Sequence, residues 1–89
     1  MTETNAELAR LRWRCRRGMQ ELDFILGNWL TRHGAGADDS QRRRFDRLLD
    51  CEDDLIWDWI LGRSRPEDAE LATMVDELMD ESKKFSHPE

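Results

Sequence analysis

Arg16-Arg17-Gly18-Met19-Gln20-Glu21 stands where one amphipathic segment, carrying Leu8, Leu11 and Cys15, meets a second, carrying Met19, Leu22, Leu26, Trp29 and Leu30. The two apolar stripes are in phase at helical spacing, so periodicity alone permits one unbroken helix of about 29 residues, ~43 Å long at ~1.5 Å per residue. A domain of this length has a radius of gyration of ~12 Å and a diameter of ~31 Å. The chain therefore has to fold back, and Gly18 is the place for it. Arginines near the end of one helix and a glutamate in the first turn of the next suit the backbone dipoles, and glycine takes the left-handed conformation that ends helices without a Cβ penalty. A corner at Gly18 makes the protein a set of short packed helices.

The rest of the chain agrees with that reading. Its 89 residues form a single domain, 1–89, able to bury about 60–65% of the unfolded surface, which leaves no room for an elaborate catalytic pocket. Hydrophobic residues at 38%, with four Trp and three Phe, argue for a folded core, and 38% charged residues for a heavily solvated surface. The formal charge of -6 conceals a polarity along the chain. Residues 1–49 hold ten arginines and seven carboxylates, net +3, while residues 50–89 hold four basic and thirteen acidic residues, net -9. The acidic total disfavours non-specific nucleic-acid binding, although the arginine-rich half leaves a local basic patch open. Cys15 and Cys51 lack a Cys-x-x-Cys or Cys/His context, so they read as reduced core thiols at helical burial positions and not as a disulfide or a zinc site. The N-terminus has no basic and apolar leader, and no apolar run approaches the ~18 residues of a membrane span. A cytoplasmic protein with no membrane insertion is expected.

Taken in order, Thr4-x-x-Glu7 forms a capping box that starts the first helix. Trp13 falls off the Leu8, Leu11, Cys15 stripe, beside Arg10 and Arg17, where it is either a surface cation–π pair or part of a contact face. The second helix spans about 19–32 and ends at a flexible His33-Gly34-Ala35-Gly36 stop; Phe24 lies off its stripe, which predicts packing on two sides. His33 has no carboxylate partner close in sequence and reads as a helix-dipole contact. Asp38, with Gln41 as box partner, starts a third helix that buries Phe45, Leu48 and Leu49 and whose exposed side begins at Gln41 to Arg44. Asp53 or Asp54 caps a fourth helix, Leu55 to Leu61, closed by Gly62. The acidic turn before it lacks EF-hand spacing, so no metal is expected. That helix is apolar nearly all round, which makes it either the central element or the donor of an exposed Trp. Pro66 opens the last helix, with a stripe of Leu71, Met74, Val75, Leu78 and Met79, and residues 82–89 read as a frayed tail. No β-alternating segment of useful length appears, so the fold class is all-α, a small bundle of five short helices.

Trp13-Arg14-Cys15-Arg16-Arg17-Gly18-Met19-Gln20-Glu21-Leu22-Asp23 resembles the signature of the SdhE (YgfY) family of succinate dehydrogenase assembly factors, whose motif is Arg-Gly-x-x-Glu with Met usual after Gly. Phe45-x-x-Leu48-Leu49, the acidic turn into Asp54-Leu55, Trp59, and Asp68-Ala69-Glu70-Leu71 extend the resemblance in order over about residues 8–80. The linker from His33 to Asp39 departs from the family pattern, which often carries an aromatic or aliphatic residue there. The resemblance implies a chaperone-like partner that binds the flavoprotein subunit of succinate dehydrogenase, and its relative in fumarate reductase, and promotes covalent attachment of FAD to a histidine of that subunit. It implies no stably bound cofactor of its own, since the FAD is the client's. Residue by residue, it implies a partner-binding surface made of Arg17, Gly18, Met19 and Glu21, with Trp13, Arg16 and Asp23 as neighbours.

Two other functions compete. A regulatory or nucleic-acid-binding module would use Arg10, Arg14, Arg16, Arg17 and Arg42 to Arg44, but it needs a polar recognition helix beside them, and the second helix is apolar. A small hydrolase or transferase would need a nucleophile–base pair or a phosphate loop, and the sequence has neither. The expectation is a non-enzymatic interaction protein whose free form is a monomer.

Overall fold

The computed structural model describes residues 3–85, with side chains from 5 to 83. Among the described residues it has five α-helices and no strand: α1 Glu3–Arg14, α2 Gln20–Trp29, α3 Asp39–Leu49, α4 Asp53–Ile60 and α5 Ala69–Phe85. The all-α expectation holds. The radius of gyration is 12.5 Å, a size reached because the chain reverses between Arg14 and Gln20. Gly18 has φ +87° there, in the left-handed region that glycine tolerates.

The core is the set of stripes read from the sequence. Leu11, Leu22, Leu26, Trp29, Phe45, Leu48, Leu49, Ile56, Met74, Val75 and Leu78 are buried together, with Leu8, Met19, Leu71 and Met79 packed at the edge. Trp29 stacks on Phe45 with centroids 4.6 Å apart, and its Nε1–H donates to Glu77 Oε1 at 3.0 Å, so the largest buried side chain also has its polar atom satisfied. The central element is α5, which packs on α2, α3 and α4. This resolves the two options for α4: Trp59 is buried and Trp57 half-buried, while its solvent-facing apolar residues are Leu55 and Leu61, each 44% exposed.

Several helix ends differ from expectation. The first helix already includes Thr4, so that residue lies inside the first turn; its side chain falls outside the described ones, and the Glu7 carboxylate lies 3.1 Å from Arg42 Nε. Glu52, not Asp53 or Asp54, occupies the N-cap position of α4, because Asp53 is the first helical residue and faces Arg17. The last helix starts at Ala69 instead of Pro66: the Asp68 carboxylate accepts from the amides of Glu70 at 2.8 Å and Leu71 at 3.1 Å, and Pro66 is buried in the preceding loop. The Arg47 guanidinium, followed by those amides, holds Asp68 below the usual carboxylate range. At its other end α5 runs through Phe85, so residues 82–85 continue the helix, and residues 86–89 of the expected tail lie outside the described residues. The Asp38–Gln41 capping box and the positive φ of Gly62, at +80°, are as expected.

The end of α2 holds the largest departure. Instead of a flexible stop, Leu30–Gly34 forms a turn of π-helix, with Leu30 and Gly34 buried. Gly34 serves packing here, with Ala35 after it still in the right-handed region: a Cβ on Gly34 would stand 2.8 Å from Leu30 Cδ1 and 3.1 Å from Leu8 Cδ2. The turn brings Arg32 and His33 over Glu81, which is 1% exposed, at 3.4 Å and 3.5 Å. His33 thus does have a carboxylate partner, supplied by α5 from 48 residues away. Arg42, expected on an exposed face, is buried; its Nη1 donates to the carbonyls of Ala37 at 2.7 Å and Gly34 at 3.2 Å.

The charge polarity of the sequence becomes pairing across helices. Arg10 and Arg14 of α1 meet Asp46, and Arg14 also meets Asp50 at 2.6 Å. Arg47 of α3 bridges Asp68 at 2.7 Å and Glu70 at 2.9 Å, ahead of α5 and in its first turn. Exposed pairs of this kind contribute ~0–1 kcal/mol each, so they fix the register of the helices more than they hold the fold together.

Candidate functional site

The corner between α1 and α2 is built by hydrogen bonds to residues on both sides of it. Met19 has extended backbone, φ -117° and ψ 104°, at the N-cap of α2, and its carbonyl accepts from the Asp23 amide at 2.8 Å. The Asp23 carboxylate turns back and accepts from the amides of Arg17 at 2.8 Å and Gly18 at 3.3 Å. Those two amides follow the end of α1 and have no helical partner, so Asp23 supplies what the backbone lacks there. Asp23 is therefore part of the corner's frame.

Arg17 is turned inward. Its side chain is 13% exposed, with Nε donating to Asp53 Oδ1 at 2.7 Å, Nη1 to the carbonyls of Leu49 at 2.8 Å and Arg14 at 3.2 Å, and Nη2 to the carbonyl of Cys51 at 2.8 Å. Arg16 points the other way and lies over the Trp13 ring, 5.4 Å from its centroid. The cation beside Trp13 is thus Arg16, where Arg10 and Arg17 were expected, because α1 ends at Arg14 and the chain bends before residue 16. Trp13 itself is 69% exposed, as its position off the stripe predicts.

Gly18 lies at the surface with no heavy atom within 4 Å of where a Cβ would stand. Glu21, exposed in the first turn of α2, makes no hydrogen bond or ion pair with the described residues. Phe24, one turn further along, is 58% exposed and borders a shallow open depression with Gln20 and Glu21. That placement corrects the expectation that α2 packs on both sides. Met19 is half-buried against the core. The seven residues singled out by the sequence thus meet at one corner with divided orientations: Trp13, Arg16, Gly18 and Glu21 face solvent, while Arg17, Asp23 and part of Met19 face inward.

Phe24 and Asp53 belong to this corner and were missed by sequence reasoning. For Phe24 a signal existed, since its spacing of three from Glu21 and four from Gln20 puts all three on one helix face. For Asp53 there was none, because it lies 36 residues from Arg17.

The corner holds no obvious reacting group. Burial pushes the Cys15 thiol up to about 11, so it is protonated and unreactive at neutral pH. Burial likewise raises half-buried Cys51, which sits in the turn after α3 instead of on a buried helical stripe. Among the described residues no group of three or more His, Cys, Asp or Glu is placed to hold a metal ion, and no helix is long and apolar enough to cross a membrane. What the corner offers is an uncommitted carboxylate, an accessible stretch of backbone and two exposed aromatic rings on a braced support. Such a surface suits protein recognition.

Known proteins are similar to this chain along most of its length. A family model described as the flavinator of succinate dehydrogenase matches residues 9–82. Among similar proteins, the FAD assembly factor SdhE of Xylella fastidiosa strain 9a5c is 46% identical over 70 residues, covering 79% of this chain and 72% of the relative. The FAD assembly factor SdhE of Pseudomonas aeruginosa is 43% identical over 74 residues, 83% of this chain and 88% of its own, and that of Methylococcus capsulatus 45% identical over 75 residues, 82% and 88%. With its helices, its Arg17-Gly18-x-x-Glu21 corner and these likenesses along most of its length, the chain belongs to the family of succinate dehydrogenase flavinators, the FAD assembly factors.

Proposed function

We propose that this protein binds the flavoprotein subunit of succinate dehydrogenase through the Gly18 corner and promotes covalent attachment of that subunit's FAD, as a chaperone-like partner and not as a catalyst. The observation that carries the proposal is the pairing of an exposed left-handed Gly18, open above its Cα, with the uncommitted carboxylate of Glu21 in the next helical turn. A partner backbone can approach closely at Gly18 while Glu21 accepts charge-assisted hydrogen bonds from it. Trp13 with Arg16 supplies an aromatic and cationic anchor beside that contact.

In the client, attachment would join a histidine nitrogen to the flavin methyl carbon, the methyl C–H and the histidine N–H each giving up a proton and the flavin ring taking up the electron pair, so that it would be left two-electron reduced. The histidine, the methyl and the ring must be held in register, and that is a problem of positioning. A rigid corner bracing a mobile part of the client meets it without supplying a reacting group. The flavin stays with the client throughout. The flavoprotein subunit of fumarate reductase is a second client in this reading, the free factor is a monomer whose core closes within one chain, and it works in the cytoplasm. The pairing of Arg10, Arg14, Arg17, Arg42 and Arg44 with carboxylates supports protein over nucleic acid as the partner.

The test is reconstitution. Purified client subunit lacking covalent flavin is incubated with FAD and the factor, and in-gel flavin fluorescence reads attachment. The wild-type factor is expected to raise the covalent signal, and Glu21→Ala to stay folded while losing most of the gain, since alanine is a good helix former at that position. Wild-type signal with Glu21→Ala removes the carboxylate from the mechanism, and no gain with the wild-type factor refutes the function.

A further inference from the structure

We infer that Asp53 is a positioning residue for the partner-facing corner, acting through Arg17; the inference rests on the function proposed above. Residues 16–19 have no helical structure of their own, and two clamps hold them. One is Asp23 of α2 on the amides of Arg17 and Gly18. The other is the Arg17 side chain, which reaches into the turn between α3 and α4.

Three of the four acceptors around that guanidinium are backbone carbonyls: Arg14 at the end of α1, Leu49 at the end of α3, and Cys51 beyond it. Carbonyls at helix ends lack helical donors, so Arg17 satisfies them, but they do not neutralise its charge. The carboxylate that does so is Asp53, at 2.7 Å. As the first residue of α4, Asp53 is itself favoured by that helix's N-terminal dipole and is a fixed anchor. A mostly buried cation facing carbonyls alone is unfavourable and turns toward water. Its backbone, one residue before Gly18, moves with it, and Gly18 and Glu21 leave the geometry the partner meets. Arg17 thereby serves the Arg-Gly-x-x-Glu motif from beneath the surface, and Asp53 sets its position without touching the partner.

The experiment uses the full chain in the reconstitution above and reads the factor concentration that gives half-maximal covalent flavin, with a thermal melt on each variant. Asp53→Ala is expected to raise that concentration about tenfold, with the rate at saturation within about twofold of wild type, since a small misplacement of contact groups has effects of this size. Asp53→Glu, which keeps a carboxylate for Arg17, is expected to recover to within about threefold, and Asp53→Asn, which keeps an oxygen but no charge, to recover less than Asp53→Glu. A purely structural loss would add to any other defect, whereas a positioning loss matters less once the positioned group is gone. In a Glu21→Ala background, Asp53→Ala is therefore expected to cost less than about threefold more. Wild-type half-saturation with Asp53→Ala, or the same tenfold loss whether or not Glu21 is present, overturns the inference. If Asp53→Ala does not fold, Asp53→Ser, suited to a helix start but too short to reach Arg17, is read by the same criteria. Absence of any gain with the wild-type factor refutes the parent function before a variant is made; failure of the Asp53 series alone leaves that function standing and refutes only the positioning role.

Discussion

Replacing Gly18 with Ala and, separately, with Arg splits the backbone role of this residue from its surface role. Its φ is +87°, and no heavy atom lies within 4 Å of the Cβ position. Both variants therefore carry the same left-handed penalty, ~1–2 kcal/mol, and neither meets a steric one. In a domain of this size each kcal/mol lowers Tm by ~4–8 °C. Both should melt ~4–16 °C below wild type, and within ~0.5 kcal/mol of each other as for surface changes. Partner binding should separate them, because Ala adds one methyl to the contact and Arg a long cation. Urea denaturation gives the stabilities, and capture of the client flavoprotein subunit well below both melting points gives the binding. Gly18→Arg is expected to abolish capture and Gly18→Ala to weaken it by about tenfold or less, in line with one added methyl at a close contact. If Gly18→Arg is more than ~1 kcal/mol less stable than Gly18→Ala, the space over the glycine is not open. If the two capture the client equally, no partner covers this corner.

Trp13→Ala should cost under ~1 kcal/mol of stability, the scale of its exposed cation–π contact with Arg16, yet weaken client capture; a large fall in Tm with unchanged capture would reverse that assignment. The Cys15 thiol, raised from 9.0 to about 11, should make stability fall as pH rises through that window. Below it both folded and unfolded thiols are protonated, and within it the unfolded chain loses its proton first, so ~2–3 kcal/mol is lost by its upper end. Denaturation against pH should show a shallower slope for Cys15→Ala, and equal slopes would mean the thiol is not buried as described. Glu77→Ala leaves the buried Trp29 Nε1–H without its acceptor and should destabilise by ~1–3 kcal/mol, with Glu77→Gln recovering most of it. A denaturation midpoint for Glu77→Ala equal to wild type would refute that bond's role.

Local sequence determined whatever depends on near neighbours. The stripes Leu8, Leu11, Cys15 and Met74, Val75, Leu78 identify buried faces because a helix repeats every ~3.6 residues, and the Asp38–Gln41 box forms within one turn. Gly18 was legible as the corner because one uninterrupted helix would not fit the domain. The Arg-Gly-x-x-Glu string also sufficed to point to the family. Tertiary structure decided where the charged side chains go. Arg17 and Arg42, indistinguishable from their neighbours in sequence, turn inward because carbonyls and carboxylates from other elements converge on them. Arg16 and Glu21 stay at the surface, where no such group reaches them among the described residues. Glu81 is buried because Arg32 and His33 arrive on a π-helical turn that no local spacing announces. A charge is buried or exposed according to the partners that the whole fold brings within ~4 Å, and those partners lie 32 to 49 residues away along the chain in the contacts of Arg17 with α3 and α4 and of Glu81 with Arg32 and His33.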